Sequence, residues 1–378
     1  MYDLIIIGGG PSGSSAGRVA GQSGLKTLLF EKEIFPRYKP CGGAFSEQAM
    51  SYLDFQIPGN IQERNIYGAR VHYGGQVIEK HKEYRISTLV TRSVLDNYLI
   101  GKAEETGIEI IMGEKVLDFK EENDYVVLCT GNNVYRAKYL IIAEGSAGKL
   151  KYKIRKKDKK DEFGLCIVTE IKEDSRVIDN YIHNAIDIHF GVAKHGYGWI
   201  FPHDNYFSAG IGGLVQDLPN PKKAMLDFLA ANGFKGKYKL KGHLIPAGGI
   251  KRNIISRRVI LSGDAAGFVD SFYGEGIAYA IRSGQLAAET VSRIIIQNNK
   301  KNLIKEYPIR CQNEFGNNLK YSLILSKLMH RFPDIFFKIF AGNEDVIDKY
   351  LEIPSSKRSY KSYLQWLILR LPKYLLLK

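Results

Sequence analysis

Hydrophobic positions fall into short unbroken runs at the start of the chain. Tyr2 to Ile7 reads as a buried strand, and glycines follow at once. Residues 11 to 23 are rich in small residues and read as a closely packed helix, and Thr27 to Phe30 make a second buried strand. The pattern predicts a βαβ unit. Residues 91 to 106 carry a helical pattern, with short strands expected at 108 to 111, 115 to 119, 125 to 130 and 139 to 143. From 163 to 213 the period becomes two, as in Asp187 to Phe190 and Phe207 to Ile211, which predicts an antiparallel sheet. A strand at Val259 to Ser262 and a helix from about Gly276 to Gln297 return to the first style, and the rest is helical. The first unit is therefore interrupted and resumed. The expected division is residues 1–160 with 245–300, a β-rich insert at 161–244, and a helical region at 301–378.

Composition narrows the picture. With 378 residues, 44% hydrophobic and 25% charged, the chain has the material for large packed cores and is not a disordered protein. Lysine and arginine exceed aspartate and glutamate by 54 to 40, a net +14 that favours anionic partners such as phosphates or an acidic membrane surface. The densest basic run, Lys149 to Lys160, has eight basic residues and one acid, and is expected to be an exposed loop. It lacks the interleaved stacking aromatics of a nucleic-acid site, so no nucleic-acid partner is expected. Cys41, Cys129, Cys166 and Cys311 are far apart and make no CxxC pair, which gives no zinc or iron–sulfur signature and suits a reducing cytoplasm. No metal is expected. No secretory pattern precedes the first strand, and no stretch has the apolar length of a membrane span. From Lys357 to Lys378, six basic residues and no acid are set among Tyr363, Trp366, Tyr374 and several leucines, a composition suited to the inner face of an anionic membrane.

The chemistry is concentrated in glycines. Gly8, Gly10 and Gly13 form G-x-G-x-x-G between the first strand and helix, giving a tight turn, close backbone approach to a pyrophosphate, and close helix–sheet packing. The helix start then offers amides and a positive dipole end to phosphates. Glu31 ends the second strand, where a carboxylate accepts hydrogen bonds from an unphosphorylated adenosine ribose, so FAD or NAD fits better than NADP. Later, Asp264 could hold a ribityl hydroxyl, and the helix start from Gly274 through Glu275 and Gly276 to Ile277 could direct amides at the pyrimidine edge of a flavin.

Several segments together resemble the geranylgeranyl reductase family, flavoproteins folded like p-hydroxybenzoate hydroxylase. They are GGGPSGSSAG at 8–17, Glu31 after LLF, KPCGG at 39–43, Arg92 with Asp96, YGWIFP at 197–202, and SGDAAGFVDSFYGEGIAYAIRSGQLAAE at 262–289. The resemblance implies an α/β (α+β) fold: a Rossmann-type FAD-binding domain, an interleaved β-rich substrate domain and a helical C-terminal region. It assigns Gly8, Gly10, Gly13 and Glu31 to the ADP half of FAD and Arg92 to its centre. Gly263 and Asp264 would meet the ribityl pyrophosphate, and Gly274 to Ile277 the ring. Cys41, Gly42 and Gly43 would lie beside the ring, with Tyr197 and Trp199 lining the substrate pocket. Three positions depart from the family pattern: Lys194 and Ser271 replace prolines, and Glu144-Gly145 replaces Asp-Gly.

The expected function is FAD-dependent saturation of isoprenoid double bonds in membrane ether-lipid precursors. Cys41, or a water near it, is the candidate proton donor. The electron donor is left open among a ferredoxin, a reduced deazaflavin and NAD(P)H. An aromatic hydroxylase on the same fold, a quinone reductase and a non-catalytic flavin- or lipid-binding protein are the alternatives. The expected location is cytoplasmic, peripheral to the membrane.

Overall fold

The computed structural model describes residues 1–131, 133–247, 249, 251–297, 303–340 and 342–376. Its first layer is a sheet built on Tyr2–Ile7, which pairs in parallel with Thr27–Glu31 on one side and Val134–Ile142 on the other. Glu109–Met112 extends one edge, and the short strand Val259–Leu261 returns from far along the sequence to pair with Val134–Ile142. Ile5, Leu28, Leu140 and Ile260, drawn from four strands, are completely buried. Such unbroken apolar runs require cover on both faces. Part of that cover is the helix Pro11–Gln22, against which the long helix Ile277–Ile296 packs. Contact is close because side chains are missing: a Cβ on Gly284 would lie 2.1 Å from the carbonyl oxygen of Ser12.

The second layer is a larger sheet in the order Lys241–Pro246, Phe163–Lys172, Tyr206–Leu214, Gly196–Pro202, Ala185–Phe190, Gly68–Tyr73, Gln76–His81. It is antiparallel except where Ala185–Phe190 runs parallel to Gly68–Tyr73. The last two strands fall within 1–160, outside the β-rich insert expected at 161–244. They are fixed there by a buried carboxylate: Asp187 accepts from Arg70 (Nε 3.1 Å, Nη2 2.8 Å), lies 2.6 Å from His72 Nε2, and accepts from the Tyr181 hydroxyl at 3.2 Å. Burial works against the Asp187 charge, but His189, His72 and Arg70 beside it outweigh burial and hold the carboxylate well below its usual range.

Two expectations about basic segments meet the structure differently. The run Lys149 to Lys160 is exposed, as expected, at Lys149, Lys153, Lys156, Lys157, Lys159 and Lys160, but Lys151 and Arg155 are buried. It forms short 3-10 turns at Leu150–Lys153 and Lys160–Glu162, and Lys151 is 0% exposed. The Lys151 ammonium donates to the carbonyls of Gly145 (3.1 Å) and Ser146 (2.5 Å). Arg155 donates to Asp158 (2.6 Å) and Ala265 O (3.1 Å), and Arg252 joins Asp158 at 2.7 Å. These carbonyls and the Asp158 carboxylate offset the cost of burying Lys151 and Arg155. The C-terminal segment forms a helix, Tyr360–Leu376, whose Tyr360, Tyr363, Leu364, Leu367 and Tyr374 are buried in the second core. Residues 377–378 lie outside the described residues. Among the described residues no helix is long and apolar enough to cross a membrane.

Candidate active site

The glycine turn takes the geometry its residues demand. Gly8 has φ +105°, and a Cβ there would sit 2.4 Å from the Ala143 oxygen; one on Gly13 would sit 1.7 Å from the Gly8 oxygen. Both are packing glycines. Gly10 is different: the nearest atom to its absent Cβ is Arg37 Nη2 at 3.8 Å, so its face is open. Glu31 ends the neighbouring strand, and its carboxylate accepts from the amides of Gly9 (2.7 Å) and Glu33 (3.0 Å).

Gly8, Gly10 and Glu31 begin the lining of a cavity of about 1060 Å³. Further along its wall lie Cys41, Gly42, Gly43, Arg92, Tyr197, Trp199, Asp264, Gly274, Glu275, Gly276 and Ile277. Gly13 lies beneath the turn. Gly263, with φ +58°, packs on Ser12 and donates its amide to Ser283 Oγ at 2.9 Å. The cavity therefore gathers segments from near residues 10, 40, 92, 197 and 275.

The cavity's chemistry fits a dinucleotide. Neither the helix at Pro11 nor the one at Ile277 has a side-chain cap, which leaves two positive helix ends for anionic or electron-rich groups. Arg37 Nη2, paired with Asp96 at 3.0 Å, borders the open face of Gly10. Lys39 Nζ donates to His243 Nε2 at 2.7 Å, and Ser146 Oγ lies 3.2 Å from the same nitrogen. Burial pulls the Lys39 ammonium down to about 8, against the attraction of Asp264, and burial with Lys39 alongside pushes His243 down to about 3. Lys151, which does not line the cavity, is brought to about 8 by burial as well. A cationic lining that is costly in an empty cavity suits a diphosphate.

The opposite wall is aromatic. Trp199 lies across Gly210 of the adjacent strand, where a Cβ would be 2.2 Å from the indole, and Tyr197 pairs with Gly212. The Tyr197 hydroxyl donates to Tyr273 O at 2.5 Å, and burial raises its pKa well above the phenol range, so it stays neutral. Gly42 lies flat against this wall, its absent Cβ 2.7 Å from the Phe201 ring. Cys41 Sγ accepts from Gly43 N at 3.4 Å. The Cys41 thiol also neighbours Arg92. Burial works against the Arg92 charge, but Asp96 and Cys41 outweigh it and hold that charge firmly. Glu275 faces the cavity and accepts from the Ser46 hydroxyl. Burial raises its pKa to about 7, against the Ser46 hydrogen bond.

Arg37, Ser146, Lys151 and His243 carried no expected role, and Lys39 entered only as part of a motif. The one local signal for the aromatic wall was the run of glycines at 210, 212 and 213 inside a strand pattern, which marks close approach of another group.

This open glycine turn, carboxylate-ended second strand and cation-lined cavity define an FAD-dependent oxidoreductase, and the profile of the FAD-dependent oxidoreductase family matches residues 3–148. FAD is its cofactor. The chain belongs to the geranylgeranyl reductase family within that class. It is 31% identical over 333 residues to an uncharacterized protein of Methanosarcina barkeri, covering 87% of this chain and 84% of the relative. It is 26% identical over 360 residues to the digeranylgeranylglycerophospholipid reductase of Methanococcus vannielii, covering 86% and 87%. The fold matches that of a geranylgeranyl bacteriochlorophyll reductase-like protein of Thermoplasma acidophilum with a TM-score of 0.83 and 22% identity, covering 99% and 97% of the two chains.

Proposed function

We propose that this enzyme saturates isoprenoid carbon–carbon double bonds of long-chain lipids, ether-linked membrane-lipid precursors among them. The observation that carries the reading is the aromatic wall of the main cavity, which includes Tyr197, Trp199, Phe201 and Phe272, beside the nucleotide cradle. Tyr197, Phe272 and Tyr273 also border a separate cavity of about 40 Å³, room for a water and not for a chain. Relatives named digeranylgeranylglycerophospholipid reductase, geranylgeranyl diphosphate reductase and menaquinone reductase support a prenyl-chain substrate.

FAD, when bound, supplies two-electron hydride chemistry. An unactivated alkene is a poor acceptor, so the chain's own residues must align it and exclude water. Tyr197 and Trp199 form the wall suited to this, and the Tyr197–Tyr273 hydrogen bond fixes that wall to the loop before Gly274. The Cys41 thiol is the proposed proton source for the second alkene carbon. Cys41→Ala should then slow reduction while sparing FAD content, and Cys41→Ser should recover part of the rate.

Electrons come from an external ferredoxin, reduced deazaflavin or NAD(P)H, and the enzyme works peripherally at an anionic membrane from the cytoplasmic side. The deciding experiment is anaerobic. Chemically reduced enzyme is mixed with geranylgeranyl-bearing lipid, and mass spectrometry should show a gain of two mass units per saturated bond. Unchanged lipid would defeat the reading.

A further inference from the structure

We propose that the outer face of the helices Asn317–Arg331 and Pro333–Phe340 is a docking surface for an anionic lipid bilayer. The inference rests on the lipid-substrate reading and gives it a place on the molecule. Ile324 and Leu328 are 36% and 41% exposed, and Phe332 and Ile335 at the helix junction are each 51% exposed. Ile324, Leu328 and Phe332 follow one another at four-residue spacing, so they form a single stripe rather than scattered surface residues. The stripe continues across the junction to Ile335.

The charges beside the stripe are predominantly positive. Lys320, Lys327, Arg331 and Lys338 are exposed, and none forms an ion pair with a described residue. Asp334 is the single acid between Asn317 and Phe340. The Arg331 guanidinium lies 5.8 Å from the centre of the Phe332 ring, an arrangement in which the ring can enter the interface while the charge stays at headgroup level. Exposed apolar groups fringed by unneutralised cations complement an anionic bilayer in both respects.

The same helix explains why the surface is here. Leu323, Ser326 and His330 on its inner side line the main cavity, one or two residues from Ile324 and Leu328 on its outer side. A bilayer against the stripe would be separated from the cavity by one helix. The C-terminal helix, by contrast, has put most of its apolar residues into the second core.

The test uses the full FAD-loaded protein and sucrose-filled vesicles of phosphatidylcholine with phosphatidylglycerol, at low salt. Wild type should sediment with these vesicles and much less with pure phosphatidylcholine. The double variant Phe332→Ser with Ile335→Ser should lose at least about tenfold in vesicle partition, and Arg331→Glu a smaller factor. Both should keep their FAD and their activity on detergent-dispersed substrate. Phe332→Trp should shift its emission to the blue on adding anionic vesicles. Wild type that ignores anionic vesicles, or a double variant that binds them undiminished, overturns the proposal. So does loss of binding in Ile368→Ser with Leu369→Ser instead, which would assign docking to the C-terminal helix. A change of oligomeric state in the stripe variant without vesicle dependence would assign the face to a second copy of the chain. Failure of the two readings is distinguishable. Alkene saturation in detergent without vesicle binding sinks docking alone, and stripe-dependent vesicle binding without saturation sinks the substrate assignment alone.

Discussion

Arg37 Nη2 lies 3.0 Å from Asp96 Oδ2 and is also the nearest atom, at 3.8 Å, to the open face of Gly10. Asp96 is completely buried and also receives Nε and Nη2 of Arg92 at 2.8 and 2.9 Å. Two guanidinium groups are thus held by one carboxylate on the cavity wall. Arg37→Ala should weaken FAD binding by about 10- to 100-fold, the worth of a charge-assisted hydrogen bond. Arg37→Lys should restore little, because an ammonium lacks the fork that spans both partners. Gly10→Val should abolish binding by filling the open face. Flavin content after purification and titration of apoprotein check all three, and full occupancy in Gly10→Val would sink the cradle assignment.

Lys39 gives FAD binding a pH dependence. In the apoprotein it loses its proton at about 8. A diphosphate favours the charged form and raises that value, so binding takes up a proton between the old and new pKa. Affinity should be flat below about pH 7 and fall as pH rises through 8 and beyond. Calorimetry in buffers of different ionisation enthalpy measures the uptake directly, and proton release on binding at pH 8.5 would contradict it.

Glu275 makes the opposite kind of statement about stability. Its folded pKa of about 7 stands above the ordinary 4.5, so the native state holds the proton more tightly than the unfolded chain. The stability it contributes is whole below pH 4.5 and is lost as pH rises to 7 and above. Part of the carboxyl faces the cavity, where water reduces the effect, and the loss should be about 1–3 kcal/mol. Glu275→Gln should remove that slope in apoprotein urea melts between pH 5 and 8. An unchanged slope would place the titration elsewhere.

Tyr363 is completely buried among Tyr350, Trp366 and the second core. Tyr363→Ala should cost about 3–5 kcal/mol, as other large aromatic truncations do, and deleting the chain from Tyr360 onward should cost more. Urea denaturation of the variant and the truncated protein gives both values. A truncated protein of native stability would show that this helix is dispensable to the fold.

Local patterns made the candidate nucleotide half of the site legible. The turn at Gly8 to Gly13 and the acid at Glu31 are within one βαβ unit, where strand, glycine and carboxylate spacing is set by short-range geometry. The cationic lining was invisible for the opposite reason: Lys39 meets His243 across 204 positions, and no periodicity encodes such a meeting. Within the exposed run from Lys149, the burial of Lys151 and Arg155 was not legible, because their partners, the carbonyls of Gly145 and Ser146 and the carboxylate of Asp158, are matters of backbone path rather than composition. In the β-rich part, alternation located the strands Ala185–Phe190 and Tyr206–Leu214 but could not say that Gly68–Tyr73 would pair with the first of them. Parallel pairing between distant segments leaves no mark in either one.

The pairing of Val259–Leu261 with Val134–Ile142 has a consequence during synthesis. The nucleotide-binding sheet lacks this strand, and the long helix packed on its first helix, until nearly 300 residues have been made. Before that, Leu140, Ile141 and Ile142 have no partner along one side, and the apolar face of Pro11–Gln22 is uncovered. At translation rates of about 5–20 residues per second, that interval lasts several seconds or more. The nascent chain therefore exposes a sheet edge while residues 143–258 are added, and a ribosome stalled before residue 259 should present a strong target for holding chaperones.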